Sequence, residues 1–306
     1  MTMDEKNVYV IDTDIGDDID DAFAVALAVK GGMNLAMVST VFRNTTLRAK
    51  QAMQLLETLG SKTPVFCGEK LPLGGVVPLF GYENGNGANA ENAVPCQYDD
   101  SMDGYLPKAN APQEIVRLAK KHSGNLVLLP IGGMTNVAKA LQLDPTIAKD
   151  VKAVVAMHGW YSQFLPEWNV VCDPEAANVV YSSGIPFYGV GLDVTLQCAL
   201  DDDLLKDFRA SDDPSNRLIV RWLDRWFDRF RFEKSVMHDP LAVCCAIRDD
   251  VCVFEKRYVR AVTEGEKRGA VETLCQPKEG FFPVNVATSV DKRKFYDFVR
   301  NALLNN

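Results

Sequence analysis

The chain has 306 residues, of which 47% are hydrophobic and 24% are charged. This composition is typical of a globular protein and excludes a wholly disordered, collagen-like or disulfide-scaffold chain. With 33 basic and 41 acidic residues, the net charge is −8. An acidic surface repels nucleic acid and anionic membranes, so we expect neither as a partner. Because a membrane-spanning apolar run and a secretion-signal pattern are both missing from the sequence, we expect a soluble, cytoplasmic protein.

Short β-rich runs alternate with amphipathic helical stretches along most of the chain. This alternation predicts βαβ units, and therefore an α/β fold with an open, mainly parallel sheet and helices on both faces. The predicted strands are residues 8–11, 35–41, 126–129, 153–157 and 186–190, and the first two predicted helices are residues 20–30 and 46–59.

The last third of the chain has a different pattern. Residues 251–262 and 271–276 flank a polar turn, which predicts an antiparallel hairpin at an edge of the sheet. A strand near residues 284–290 and a helix at 291–304 follow. The long Gly- and Asn-rich loop at residues 67–112 exceeds an ordinary connection, and loops of this length are often binding loops. Since no linker is evident, we expect residues 1–306 to form a single domain.

A dense acidic cluster follows the first predicted strand. Ligands of open α/β sheets bind at the carboxyl ends of the strands, where this cluster would lie. Carboxylates so close together repel one another unless protons or a cation neutralise some of them. An all-oxygen set favours a hard cation such as Ca²⁺ or Mg²⁺. Six of the ten residues at 12–21 are aspartates, namely Asp12, Asp14, Asp17, Asp18, Asp20 and Asp21.

Neither helix capping nor an EF-hand accounts for the whole cluster. Capping explains one or two aspartates, such as Asp17 and Asp18, but not six. An EF-hand loop starting at residue 12 would need Gly and a carboxylate where Asp17 and Phe23 stand. A haloacid-dehalogenase-like phosphohydrolase remains the alternative, with Asp12 as nucleophile, Asp249 and Asp250 as its later acidic pair, and Mg²⁺ as its metal.

Five segments, in order along the chain, carry a resemblance. They are the Asp-Thr-Asp-x-Gly motif at 12–16 with its later Asp-Asp-Ala, the Gly-Gly-x-Thr-Asn segment within 127–141, the run Glu167-Trp168-Asn169 with the helix at 173–177, residues 191–195, and His238-Asp239-Pro240. In these motifs the sequence resembles the inosine–uridine preferring nucleoside hydrolase family. The resemblance implies a nucleoside-hydrolase-like fold, hydrolysis of the N-glycosidic bond of ribonucleosides to ribose and free base, bound Ca²⁺, and a homodimer or homotetramer.

The resemblance also assigns roles to individual residues. It implies a metal site and a ribose site that share one cavity, with Met157 against the sugar. The metal ligands would be Asp14, Asp21, Asp239 and the carbonyl oxygen of Ile131. The ribose hydroxyls would be held by Asp20 and Asn44, and the 5′ end of the sugar by Glu167, Trp168 and Asn169.

The implied chemistry suits these residue types. Departure of the base leaves an oxocarbenium-like sugar, which carboxylates stabilise. Asp14 would accept the proton of the Ca²⁺-bound water as general base. His238 would protonate the leaving base, because histidine changes charge near neutral pH.

Departures from the family pattern leave the substrate open. Three residues instead of one separate Gly16 from Asp20, so the register of ligands among the aspartates at 17, 18, 20 and 21 is open. The family's histidine is missing from residues 81–87, and His158 replaces a glycine. The protein could therefore act on an unusual N-riboside, or be a catalytically silent, metal-dependent riboside-binding relative.

Several tryptophans are candidates for stacking on the base. Trp222 and Trp226 recur on one face of a predicted helix whose arginines lie on another face. This pattern is typical of an amphipathic helix that covers the core. The alternative is that Trp222 or Trp226 closes over the base, and Trp160 is an equal candidate.

Overall fold

The computed structural model describes residues 6–75, 78, 92–231 and 234–305. The predicted Gly-rich stretch at residues 81–87 lies outside the described residues. The strands are β1 (Val8–Thr13), β2 (Leu35–Thr40), β3 (Val65–Cys67), β4 (Leu126–Pro130), β5 (Val151–Met157), β6 (Phe187–Val190), β7 (Ala199–Leu200), β8 (Ser235–Val236), β9 (Cys252–Ala261), β10 (Val271–Leu274) and β11 (Phe282–Val290). The helices are α1 (Asp20–Lys30), α2 (Thr45–Thr58), α3 (Ala111–Lys121), α4 (Thr135–Leu143), α5 (Trp168–Cys172), α6 (Pro174–Ser182), α7 (Leu192–Thr195), α8 (Asp202–Ala210), α9 (Pro214–Phe230), α10 (His238–Ile247) and α11 (Lys292–Leu303).

A nine-stranded sheet organises the chain, in the order β10-β9-β11-β6-β5-β4-β1-β2-β3. The strands from β3 to β6 pair in parallel, and β11 joins β6 in parallel as well. Strand β9 pairs antiparallel with both β10 and β11. The predicted α/β class, the mainly parallel sheet and the antiparallel hairpin at one edge are therefore confirmed.

Helices cover both faces of the sheet, because side chains along each central strand alternate between two apolar layers. In β1, Tyr9 and Ile11 join the layer that includes α1, α9, α10 and α11. The neighbouring Val8 and Val10 join the opposite layer with α3, α4 and α6. Both layers bury the strand, which explains the apolar run over residues 8–11.

The parallel strands place their carboxyl ends at one edge of the sheet, and the motif residues follow there. Asp14 comes directly after β1, Ile131 directly after β4, and Met157 ends β5. Helix α10 begins at His238 and packs against α1. Within the described residues, every helix is too short or too polar to span a lipid bilayer.

Candidate active site

A cavity of about 270 Å³ opens at the carboxyl ends of β1, β4 and β5, and we call it the Asp14 cavity. This is the edge of an α/β sheet at which ligands bind. Its wall joins residues from the acidic cluster, from the predicted sugar-binding run and from the start of α10. The lining residues are Asp14, Asp17, Asp18, Asp20, Asp21, Ile131, Met157, Pro166, Glu167, Trp168, Asn169, Leu192, His238 and Asp239.

Three buried carboxylates from two helices converge in this wall. Asp20 and Asp21 open α1, Asp239 lies in the first turn of α10, and one oxygen of each lies within 4.8 Å of the others. The backbone N–H of Asp239 donates to Asp20 over 3.1 Å, and the Thr13 hydroxyl donates to Asp21. Burial, together with the charges of neighbouring aspartates, raises the pKa of all three carboxyls well above the usual range.

Asp14 lies against the backbone that follows β4. A Cβ atom on Gly132 would stand 2.7 Å from Asp14 Oδ1, so only glycine permits this approach. Burial raises the pKa of Asp14, while the guanidinium of Arg48 opposes that rise. Asp14 lines the same cavity as the three converging carboxylates without joining their compact group.

The donor set fits a hard divalent cation. It consists of buried carboxylates whose negative charges repel one another and whose pKa values are raised. A bound cation would relieve this repulsion. Oxygen-only surroundings are those that Ca²⁺ and Mg²⁺ prefer. Among the aspartates whose register was open, the geometry places Asp20 and Asp21 in this group. Asp17 instead pairs with Arg48 over 2.7 Å, and Asp18 accepts the Ile19 N–H over 2.6 Å.

Arg48 is a site residue that the sequence analysis missed. This fully buried guanidinium donates to the carbonyl oxygens of Asp14 and Ile15, to the carbonyl of Phe42 over 2.9 Å, and to the Asp17 carboxylate. These hydrogen bonds hold the backbone of Asp14 and Ile15 and the side chain of Asp17 in place. Its signal was available, because Arg48 shares the apolar face of α2 with positions four and seven residues later.

Asn169 ties the ends of two strands together. Its Nδ2 donates to the carbonyl oxygens of Ile131 and Met157, each over 3.0 Å. A carbonyl oxygen has two lone pairs, so Ile131 retains one for a further partner.

Glu167 precedes Asn169 as the N-cap of α5. Its carboxylate accepts the N–H groups of Gly159, Asn169 and Val170 over 2.9–3.2 Å. Burial raises the pKa of Glu167, and these N–H groups oppose the rise. Glu167 therefore fixes the loop after β5 as well as lining the cavity.

His238 stands at the opening of α10, with Nδ1 at 2.7 Å from the Thr195 hydroxyl. That contact orients the ring. Burial lowers the pKa of His238 to about 4, so the ring is neutral at pH 7 and can act there only as a neutral N–H donor. Burial thus favours the neutral ring at pH 7, and the role of His238 as proton donor to the base stays a prediction.

Four predicted substrate residues stand apart from the described lining of the cavity. Asn44 caps α2, accepting the Leu47 N–H and donating to the Asn92 carbonyl. Trp222 and Trp226 are buried in the apolar layer, at 1% and 5% exposure, because α9 packs that face on the core. Trp160 is half-buried outside the lining.

His158 is buried beside Tyr181, with its Nδ1 2.9 Å from the hydroxyl. It likewise stands apart from the described lining, so the structure gives it no place in the pocket.

The phosphohydrolase alternative does not fit. Asp12, its nucleophile, is 1% exposed and accepts hydrogen bonds from Ser39 and Asn136 at one carboxylate oxygen. Asp250, from its later acidic pair, forms ion pairs with Arg248 and Lys294 away from the cavity. A nucleophile must face its substrate, and Asp12 stands apart from the described lining of the Asp14 cavity.

Known proteins are similar to this chain in sequence and in fold. Residues 9–297 match the family model described as inosine-uridine preferring nucleoside hydrolase. The chain is 29% identical to a probable uridine nucleosidase 1 of Oryza sativa subsp. japonica, over 98% of this chain and 97% of that protein. It is 28% identical to the inosine-uridine preferring nucleoside hydrolase of Crithidia fasciculata, over 96% of each. A solved plant nucleoside hydrolase, 23% identical, superposes with a TM-score of 0.83 over 98% of this chain and 100% of its own.

Proposed function

The chain belongs to the inosine–uridine preferring nucleoside hydrolase family, and from this membership we propose that it hydrolyses ribonucleosides in the Asp14 cavity. It is an N-ribosyl hydrolase, which cleaves the bond between ribose and base. The observation that supports the Asp14 cavity as the place of reaction is the convergence of Asp20, Asp21 and Asp239 beside Asp14.

The carboxylates of the cavity would bind the sugar and its cation. Asp14, Asp21 and Asp239, with the carbonyl of Ile131, would hold Ca²⁺, which when bound orients ribose hydroxyls and acidifies water. Asp20, the remaining member of the converging group, would accept a hydrogen bond from a ribose hydroxyl rather than bind the cation, with its carboxylate already oriented by the Asp239 N–H.

The reaction breaks the bond from C1′ to the base nitrogen and forms one from C1′ to a water oxygen. As the base departs, positive charge grows on the sugar, and the surrounding carboxylates stabilise it. Asp14 would take the proton that the water loses.

The departing base would receive a hydrogen bond from His238. Since burial favours the neutral ring at pH 7 and Thr195 orients it, it would act through an N–H group. The base, released as an anion, would then take a proton from solvent water, and Asp14 would return its proton to solvent. Met157, Trp168 and Asn169 line the cavity. In this proposal Met157 would lie against the sugar, and Trp168 and Asn169 would hold its 5′ end. The relatives' names include uridine and inosine, so a panel of bases must rank the substrates.

The remaining proposals concern the working form of the enzyme. We propose that residues 1–306 form a single domain, that this domain assembles as a homodimer or homotetramer, and that it works in the cytoplasm with Ca²⁺. Light scattering after size-exclusion chromatography measures the assembly. A monomer at micromolar concentration would contradict it.

The test of the function is release of reducing sugar from purine and pyrimidine ribonucleosides, with Ca²⁺ and with a chelator. We expect metal-dependent release by the parent chain and none by Asp14→Ala, with circular dichroism showing that the variant is folded. The surface variant Asp249→Asn is the control and should match the parent. A fully active Asp14→Ala would refute the mechanism, and riboside binding without release of base would identify a silent relative.

A further inference from the structure

Gln97 lies directly behind the acidic loop, which we define as residues 14–19 between β1 and α1. Its side-chain amide donates to the carbonyl oxygen of Asp17 over 3.1 Å and to that of Asp18 over 2.8 Å. Gln97 itself is fully buried. Both amide hydrogens are therefore used on consecutive carbonyls of residues whose side chains line the Asp14 cavity.

Further contacts fix Gln97 in place. Its Oε1 accepts from Gln51 Nε2 of α2 over 2.7 Å, and its backbone N–H donates to the Gly16 carbonyl over 3.1 Å. Arg225 of α9 donates to its carbonyl over 2.9 Å and pairs with Asp99 two residues later over 2.6 Å. Gln97 is thus fixed by contacts with α2 and α9 in addition to its contacts with the acidic loop.

The segment around Gln97 packs closely on the acidic loop. Gly16 has a φ of +124°, and a Cβ there would stand 2.6 Å from Pro95 Cβ. Only glycine adopts this conformation without strain and leaves room for Pro95.

The contact bears on the carboxylates because the acidic loop leads directly into α1. Asp18 accepts the Ile19 N–H, and Asp20 and Asp21 follow as the first helical residues. The loop has two more residues before Asp20 than the shorter family signature, and each added residue increases the entropy lost on ordering. Gln97 supplies donors to two carbonyls within that longer stretch.

We propose that Gln97 is a positioning residue of the metal site. It holds the carbonyls of Asp17 and Asp18 so that Asp20 and Asp21 meet Asp239, without touching the substrate itself. This inference rests on the proposed function, since it assigns Gln97 a task in building that function's cation site.

The test is calorimetric titration of Ca²⁺ into the metal-free full-length protein and its variants. Gln97→Met keeps the length of the side chain and removes its donors, whereas Gln97→Glu keeps the shape and turns an oxygen towards the two carbonyls. Loss of residues that orient metal ligands typically weakens metal affinity ~10- to 100-fold. We expect a loss in that range for Gln97→Met and a larger one for Gln97→Glu.

The matched control is Gln54→Met. Gln54 also lies on α2 and also reaches the segment after Gln97, where its Nε2 donates to the Ser101 hydroxyl over 3.1 Å, away from the acidic loop. We expect the Ca²⁺ affinity of this variant to equal that of the parent. If Gln97→Met does not fold, Gln51→Met removes the donor that orients Gln97 and should weaken affinity by a smaller factor.

The outcomes separate positioning from simple stabilisation. A positioning role predicts weaker Ca²⁺ binding in a folded variant whose turnover recovers at saturating Ca²⁺. Unchanged affinity in Gln97→Met with a lower melting temperature in chelator would overturn the proposal, as would failure of Gln97→Met, Gln97→Glu and Gln51→Met to fold. If the parent binds Ca²⁺ but releases no ribose while the variants lose affinity, the proposed function fails and Gln97 keeps its role. If the parent binds no Ca²⁺, both fail.

Discussion

Replacing Asp239 with asparagine removes one of three carboxylate charges from the compact group while nearly keeping the shape of the side chain. Without a cation, each charge is repelled by two others whose oxygens lie within 4.8 Å. We therefore expect Asp239→Asn to stabilise the metal-free protein, although it removes a group from the proposed active site. A residue kept for folding alone would have the opposite effect.

The size of the effect follows from the separation. Two unit charges 4.8 Å apart repel by ~3.5 kcal/mol at an effective dielectric constant of about 20. The two pairs that Asp239 forms together amount to ~7 kcal/mol. Proton uptake, which the raised pKa values of these carboxyls indicate, relieves more than half of this repulsion, so we expect a gain of ~3 kcal/mol. With an unfolding entropy of ~2.1 cal/mol/K per residue over 306 residues, the melting temperature rises by ~5 °C.

Bound Ca²⁺ should stabilise the parent more than the variant and so reduce the difference in stability between them. At a Ca²⁺ concentration of ~100 times the parent's Kd, the parent gains ~2.7 kcal/mol, and a variant with ~100-fold weaker binding gains ~0.4 kcal/mol. Thermal unfolding in chelator and in Ca²⁺ measures both effects, with the exposed Asp249→Asn as a control of equal charge. An Asp239→Asn protein less stable than the parent in chelator would refute the reasoning.

Two further substitutions test the catalytic and the structural sides of the molecule. His238→Ala should lower kcat ~100-fold or more, as expected for loss of an N–H donor that stabilises the departing base, while Ca²⁺ affinity stays unchanged; steady-state kinetics and titration decide, and an unchanged kcat would remove His238 from the mechanism. Asp213 caps α9 and pairs with Lys30 over 2.7 Å, so Asp213→Ala should cost ~1–2 kcal/mol in denaturant unfolding at neutral pH. Burial raises the pKa of Asp213, but bonds from Lys30 and Ser215 outweigh it and lower the pKa to about 2. This stabilisation is therefore complete above the ordinary value of 3.8 and is lost as the pH falls towards about 2, so the parent and the variant should converge there; a constant difference across that range would contradict the ion pair.

Local patterns predicted the elements around the site because each is decided within a few residues. The first strand was predicted at residues 8–11 and spans Val8–Thr13, and the first helix has the predicted bounds, Asp20–Lys30. The sheet order was not predictable in the same way. Strand β11 lies between β6 and β9, and such pairings depend on contacts between distant parts of the chain.

The candidate site likewise contains some residues that the sequence predicts and others that it does not. The motif residues Asp14, Asp21 and Asp239 meet in one cavity because each follows or begins an element at the same edge of the sheet. The residues that support them, Arg48 and Gln97, carry no motif, and their contacts arise only when α2 and the segment after residue 92 fold against the acidic loop. Burial likewise lowers the pKa of His238, which no sequence pattern indicated.

The bond from Asp239 to Asp20 joins residues 219 positions apart. The acidic loop and α1 lie near the start of the chain, so Asp20 and Asp21 meet Asp239 only when α10 docks beside α1. A chain ending before α10 has the loop but not the converging group, so it has no preformed pocket for a cation. The proposed cation site is therefore complete only in a chain that is folded through Asp239.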